Sequence, residues 1–481
     1  MKKKSLGINA GLNTIKTLCS IVFPLITFPY VSRVLHVENV GIFHFCASVV
    51  NYFVLLAGLG ISAYAIREGA RHRESKEEMS EFASEVFSIN VFSSVLSCLV
   101  LLILVLYVPK LTQYSAIICL LAIMIPLTTI GCEWVFNIYE EFAYITIRTI
   151  AFQALALVLM FLMVKTENDL IKYTIVSVIS LSGANVVNAI SRRKYCKIRF
   201  LVNKRMLMHL APILVLFANS LAVTIYVNSD ITLVGIFAGN YQTGLYSVSS
   251  KIYLIIKQML AALIVVSVPR LSALIGEKRL ADFRGTANKV LNTLVAIVVP
   301  AVVGLFCIAR NAILIISGKE YIEATSSLQI LSVALFFCIF SWFYTSCILV
   351  PNREEKRVLF ATVVSAIVNL GLNFVLIPIW GQNAAALTTV VAELISMMMC
   401  FWFSRVYYIA EIVLKEVVAV LLGCVCIIIY CHAVRSFIKS LAFSTVVSIG
   451  GSIVVYGLVL VLFKHSVFSS VRGIFKRLNN D

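Results

Sequence analysis

The stretch Gly244 to Val268, GLYSVSSKIYLIIKQMLAALIVVSV, is long and apolar enough to cross a bilayer, yet it carries Lys251 and Lys257 and no acid. Wound as a helix, it places Ser247, Ser250, Lys251, Lys257 and Gln258 within one arc about 120° wide, and Leu245, Val248, Ile252, Ile256 and Leu260 fill the other side. A lysine facing lipid at mid-membrane costs roughly 3 kcal/mol or more, so such residues face a bundle interior or a watery cavity. The two lysines lie only about 9 Å apart in rise and cannot easily snorkel to opposite interfaces. The helix therefore predicts a polar cavity, with Lys251 the stronger lining residue and Lys257 at the opposite edge of the arc.

The rest of the chain has the same character. Of 481 residues, 60% are apolar and only 13% are charged, which places the chain outside the soluble range. About fourteen apolar runs approach the 20 residues that a span needs, from 8–35 and 39–66 through 115–138 and 207–238 to 443–463. The runs are continuous rather than alternating, so the predicted fold class is an all-α polytopic membrane protein rather than a barrel. The charged head Met1 to Lys4 resembles that of a signal peptide. Asn13 and Lys16 interrupt the run behind it and no small-residue cleavage site follows, so it reads as an uncleaved first span.

A net charge of +17 would suggest nucleic acid in a soluble protein. Here most basic residues sit in alternate short connections, such as Arg67 to Lys76, Arg192 to Arg205 and Lys278 to Arg284. That pattern is topology, not nucleic-acid binding, and it predicts both termini in the cytoplasm. The thirteen cysteines show no metal-ligand spacing and read as small packing residues, so neither metal nor cofactor is expected. The connections are too short for a nucleotide-binding cassette or a Gly-rich phosphate loop. Sugar polymerases and ligases usually need a sizeable outer loop, whereas the first outer connection is only His36-Val-Glu38. No paired-carboxylate site is apparent either, so an enzyme is not expected.

The basic segment divides the first twelve spans into two sets of six. Superposing them sets Gly41-Ile-Phe43 on Gly244-Leu-Tyr246 and Ser48 on Lys251. The expected organisation is an N-terminal six-helix lobe over 1–190, a basic cytoplasmic linker over 191–206, a second six-helix lobe over 207–408, and two extra helices with a basic tail over 409–481. Parallel repeats of this kind are a transporter design, with substrate held between the lobes.

Several residues inside spans are candidates for function. Lys16 shares a polar stripe with Asn9, Asn13, Ser20 and Thr27, and a stripe along most of a helix is poorly explained by lipid contact. Arg33, at the outer end of the first span, and Asn51 are further substrate candidates beside Lys251 and Lys257. Asp230, the only acid of its span, is a coupling site or the partner of Lys251. Glu133 and Arg148 approach the inner face on neighbouring helices and are expected to pair, and Glu393 is a second intramembrane acid. The inferred lining carries more cation than acid, which suits an anionic ligand such as a phosphate.

Five stretches resemble the Wzx-type oligosaccharide repeat-unit flippases, within the multidrug/oligosaccharidyl-lipid/polysaccharide exporter superfamily. They are Phe28-Pro-Tyr-Val-Ser-Arg-Val34 with Gly41-Ile-Phe43; Gly58-Leu-Gly-Ile-Ser-Ala-Tyr-Ala-Ile-Arg-Glu68; Glu133-Trp-Val-Phe136 with Glu140 to Arg148; Gly318-Lys-Glu-Tyr321 with Ala324; and Asn369 to Pro378 running into Ala384-Ala-Ala386. Asn383 stands where that family often has a glycine before the alanines. The resemblance implies two six-helix lobes plus two helices, in a bacterial cytoplasmic (inner) membrane. It also implies movement of an undecaprenyl-pyrophosphate-linked oligosaccharide to the outer leaflet for capsule, O-antigen or exopolysaccharide synthesis. Lys16, Lys251 and Lys257 would then hold the pyrophosphate or acidic sugars. Membrane lipids, a polysaccharide polymerase and chain-length machinery are the implied partners. The alternative is a cation-coupled multidrug antiporter of the same superfamily, which would use Asp230 or Glu393 as its coupling site.

Overall fold

The computed structural model describes residues 6–411 and 413–466. The expected basic ends, Lys2 to Lys4 and Arg472 to Arg477, lie outside the described residues. Among the described residues the regular structure is helical throughout, and eleven helices are long and apolar enough to cross a membrane. The expected spans 8–35 and 39–66 lie along one of them, which kinks at His36 (φ 60, ψ 175) and breaks again at Leu59 (φ 44) and Gly60 (φ 72), before the helix Ile61–Gly69. The connection expected at His36-Val-Glu38 is thus a single non-helical residue. The run expected over 115–138 is three short helices, Ser115–Ala122, Met124–Gly131 and Glu133–Ile138, the last two separated by Cys132 in the left-handed region (φ 44). The run over 207–238 is the helix Met206–Phe237.

A histidine at φ 60, ψ 175 occupies backbone space that only glycine reaches freely, at a cost of order 1–3 kcal/mol. We expect His36→Gly to stabilise the protein by about 1 kcal/mol, since glycine's extra unfolded-state freedom offsets part of the relief. Thermal unfolding in detergent checks this; a lower midpoint would mean that the His36 contact with Glu167, 3.9 Å away, outweighs the backbone cost.

The chain divides into two compact units, Met1–Gly244 and Leu245–Asp481. The helix Met206–Phe237 therefore belongs to the first unit. In that unit the start of the helix Gly239–Gly276 lies backbone to backbone against the arm after His36. A side chain on Gly41 would strike the Asn240 carbonyl, and one on Gly244 would strike the Val37 carbonyl. The two glycines that open matching stretches of the repeat thus meet each other, as small residues do where membrane helices approach closely. Gly244→Ala is expected to cost about 1–3 kcal/mol through overpacking. An unchanged melting temperature would show that the helices can separate there without loss.

The basic segment is fastened to the helix Lys76–Tyr107 by a serine ladder. The hydroxyls of Ser80, Ser84 and Ser88 accept the backbone N–H groups of Lys197, Arg199 and Leu201 at 3.0, 3.0 and 2.8 Å. Each hydroxyl proton is donated to a carbonyl four residues back, at 2.5–2.8 Å. The match is geometric: four residues of helix rise about 6 Å, and two residues of extended chain about 6.6 Å. Just beyond, Glu85 accepts from Asn203 at 2.8 Å and lies 2.9 Å from His209, whose other ring nitrogen is 2.6 Å from the Tyr64 hydroxyl.

In the second unit the helix Gln382–Ser404 packs on Ala324–Phe343 and Glu355–Trp380 through Ala384, Ala385 and Ala386, all fully buried. Asn383 does not loosen this packing. Gly381 (φ 55) makes the turn just before it, and the Asn383 side-chain oxygen accepts from Ser326 at 2.8 Å. Buried Asn369 and Asn373, from the stretch that resembles the flippases, hydrogen-bond each other and Thr388. Polar side chains thus join helices where water cannot. The helices Leu414–Phe437 and Leu441–Leu462 dock on Leu280–Ile316 through Ala296, Ala419, Val420, Cys424 and Leu460, and the Tyr456 hydroxyl donates to the Ala296 carbonyl at 2.7 Å.

Candidate functional site

In the first unit three expected residues converge. Glu133 opens its short helix just after the left-handed Cys132, Arg148 lies in the second turn of Phe142–Met163, and Lys16 comes from the first helix. Arg148 Nη2 donates to Glu133 Oε2 at 2.8 Å, and Lys16 Nζ lies 3.5 Å from Oε1. The Arg148 side chain is only 5% exposed, against 31% for Lys16 and 39% for Glu133. Arg148 Nε and Nη1 and the Tyr144 hydroxyl are buried with no hydrogen-bond partner among the described residues, and the guanidinium carbon lies 5.6 Å from the Tyr144 ring centre. Glu133 and Arg148 are therefore paired, and Lys16 shares the same carboxylate. Along the stripe of Lys16, Ser20 and Thr27 donate back to the carbonyls of Lys16 and Phe23. The side chains of Asn9 and Asn13 lie outside the described residues.

Arg33 and Asn51 are exposed on the two arms either side of the His36 break. Asp230 is buried close to Tyr52, whose hydroxyl is 3.3 Å from that of Thr232, which in turn donates to Ser48 at 2.9 Å.

In the second unit Lys257 Nζ lies 3.5 Å from Glu393 Oε1 and 5.6 Å from the centre of the Tyr253 ring. The Glu393 side chain is 7% exposed, so the lysine compensates a charge that burial alone would make costly. Lys251, six residues earlier, is half-buried and makes no hydrogen bond or ion pair among the described residues. Both lysines of the opening stretch are thus partly buried, but with different partners. Lys257 is tied to an acid of another helix, and Lys251 to none among the described residues.

Sequence reasoning missed a further feature of this unit, a cavity of about 950 Å³ walled by Phe336, Phe340, Tyr344, Phe401, Trp402 and Val417, with Arg405, Glu416 and His465 among its lining. It lies where the two extra helices meet the bundle, in the size range of drug- and lipid-sized ligands. The aromatic spacing Phe336, Phe340, Tyr344 is visible in the chain, but any membrane helix shows such runs. A π-helical turn at Tyr344–Leu349, which sequence does not announce, shapes one wall. His465 Nε2 is 3.8 Å from Glu416 Oε2, and burial pushes the imidazole below its ordinary range, so it stays neutral at neutral pH. No group of His, Cys, Asp and Glu among the described residues could hold a metal ion.

Comparison with known proteins adds five findings. A sequence model of the family described as "Polysaccharide biosynthesis protein" matches residues 6–275. A protein of Escherichia coli (strain K12) described as "Putative O-antigen transporter" is 22% identical over 390 residues, 80% of this chain and 93% of its own length. A relative in Shigella dysenteriae with the same description is 22% identical over 378 residues, 78% of this chain and 93% of its own length. Among solved structures, a lipid II flippase MurJ in an inward closed conformation superposes with a TM-score of 0.77 at 17% identity, covering 95% of this chain and 99% of that one. An inward-facing multidrug resistance MATE family transporter of the MOP superfamily gives 0.61 at 16% identity, covering 83% and 97%. These structural likenesses concern the fold.

Proposed function

Because the chain belongs to the polysaccharide biosynthesis protein family, we propose that it is a flippase moving undecaprenyl-pyrophosphate-linked oligosaccharide repeat units from the inner to the outer leaflet of a bacterial cytoplasmic membrane. The observation that carries this reading is the apolar cavity with a cation, Arg405, in its lining. A lipid-linked sugar needs both, a dry wall for its polyprenyl chain and cations for its diphosphate. Phe336, Phe340 and Trp402 line the first, with Arg405 at its border, and Lys251 supplies an uncommitted cation. Lys16, Arg33, Asn51 and Lys257 complete the proposed substrate-contacting set, with Glu133, Arg148, Glu393 and Asp230 as the charges that hold it in place. With both termini in the cytoplasm, Arg405 and His465 lie on the inner side, where a lipid-linked substrate is made and loaded.

The lobes proposed to rock about this path are 1–190 and 207–408, joined by 191–206, with 409–481 supplying the extra helices and tail. The product would pass to a polymerase and chain-length machinery for O-antigen, capsule or exopolysaccharide. A cation-coupled drug antiporter needs an acid free to exchange its ion. Of its two candidates, Glu393 lies in an ion pair with Lys257, which favours the flippase.

Deleting the gene in its host tests the reading. The expected result is loss of surface polysaccharide with lipid-linked repeat units accumulating in the inner leaflet; normal export together with new drug sensitivity would replace it with the antiporter. Within a complementing strain, Trp402→Ala, which opens the apolar wall, should lower export about tenfold or more at unchanged protein level if the cavity seats the polyprenyl chain. Full export would remove the cavity from the path.

A further inference from the structure

We propose that Lys16, Glu133, Arg148 and Tyr144 form a phosphate-binding site in which the Glu133 carboxylate stands in for the anion while the site is empty. The assignment of the anion to a lipid-linked diphosphate rests on the function proposed above; the site itself does not.

Charge is the first argument. Two cations, Lys16 and Arg148, converge on one carboxylate, which leaves the cluster one positive charge in excess inside a membrane-spanning bundle. The neighbouring acids do not correct this. Glu140 is held by Arg73 at 3.0 Å, and Glu141 hydrogen-bonds Tyr195. An excess charge in a low-dielectric site favours a bound counter-ion.

Hydrogen bonding is the second. Arg148 spends Nη2 on Glu133, while Nε and Nη1 remain buried without a partner, and the Tyr144 hydroxyl is in the same condition. Buried polar groups are nearly always satisfied, and three unsatisfied groups on two neighbouring side chains point to something that completes them. Glu133 cannot do so, since one of its two oxygens is already turned to Lys16. A phosphate carries more acceptor oxygens, and the guanidinium fork matches its geometry.

Access is the third. Lys16 and Glu133 stay about a third exposed, so the cluster is open on one side while Arg148 forms its floor. A phosphate entering from that side would meet the lysine first and then displace the carboxylate from Arg148. The same chemistry fits a bilayer phospholipid headgroup and a polyprenyl diphosphate.

The experiment measures binding of three probes to the full chain in phosphatidylcholine nanodiscs: inorganic pyrophosphate, phosphatidylglycerol and undecaprenyl diphosphate. Glu133→Gln removes the stand-in anion and should tighten whichever probes bind by about tenfold. Tyr144→Phe removes one unpaired hydroxyl and should weaken them about threefold or more. Binding of pyrophosphate and undecaprenyl diphosphate without phosphatidylglycerol assigns the site to the transported lipid, and equal binding of phosphatidylglycerol assigns it to bilayer headgroups. Either outcome supports the site. Undecaprenyl diphosphate binding that neither variant changes overturns it and leaves the flippase reading intact. Variant-sensitive pyrophosphate binding with no affinity for undecaprenyl diphosphate keeps the site and sinks the lipid assignment. Binding of none of the three overturns the site. Should Glu133→Gln not fold, Tyr144→Phe decides alone, because it removes a hydroxyl that bonds nothing in the empty site.

Discussion

Replacing Lys251 by alanine is expected to abolish surface polysaccharide while leaving the protein in the membrane at its normal level. The two halves of that expectation have different causes. Export should fail because Lys251 is a half-buried cation in the second unit with no acid spending its charge, so its truncation removes attraction for an anionic cargo. Folding should survive because no hydrogen bond or ion pair among the described residues is lost with the side chain. A single desolvated cation–phosphate contact is worth about 2–3 kcal/mol, or up to about a hundredfold in turnover, more than enough to empty a cell surface that depends on continuous export. Lys251→Arg keeps the charge and should restore part of the export. Surface staining against membrane-fraction immunoblots checks both halves, and unchanged staining in the alanine variant would remove Lys251 from the mechanism.

The second large effect is the opposite kind. Glu393→Ala should destabilise the protein by about 3–5 kcal/mol, because it strands the Lys257 charge in an interior that the carboxylate now neutralises. Losing both partners costs less than losing one. The double variant Lys257→Met with Glu393→Leu keeps the volume and removes both charges, and it should recover most of the lost stability. Comparing thermal midpoints of the single and double variants in one detergent separates the cases. If the double variant melts as early as Glu393→Ala, the pair matters for its shape and not its charge. If the single variant is as stable as the parent, Lys257 reaches water and the pair contributes little.

These contrasts mark what the chain disclosed and what it withheld. The fold class was legible because lipid leaves a chain of apolar runs few options, and nearly every run falls on a helix. The resemblance read from five short stretches is borne out by the family match and by the fold. Glu133 and Arg148 could be paired from sequence because both sit near the same end of adjoining spans. Lys257 and Glu393 could not, being separated by 136 positions and four connections. For that reason the ranking of the two lysines rested on the helical arc, which says that both avoid lipid and nothing about what either one touches. The break at Cys132 was equally invisible, because a cysteine in the left-handed region has no sequence signature, yet it sets where Glu133 begins its helix. The aromatic cavity was hidden for a different reason: in a membrane protein apolar side chains are the background, and only their arrangement around a void is informative.

The serine ladder has a consequence for how freely this protein can vary. Ser80, Ser84 and Ser88 grip the segment from Lys197 to Leu201 by its main chain alone. Nothing in that grip reads the side chains of Lys197, Arg199 and Leu201, so those positions can change composition and charge without losing the hydrogen bonds, while Ile198 and Phe200 between them pack on the helix and its core. The one residue the segment cannot accept at positions 197, 199 and 201 is proline, which has no N–H to offer. Related sequences should accordingly show positions 197, 199 and 201 varying, without proline, over an unvarying row of small hydroxyl residues, with apolar residues kept at 198 and 200. Identity would be lowest at those three positions and constraint highest on the helix that holds them.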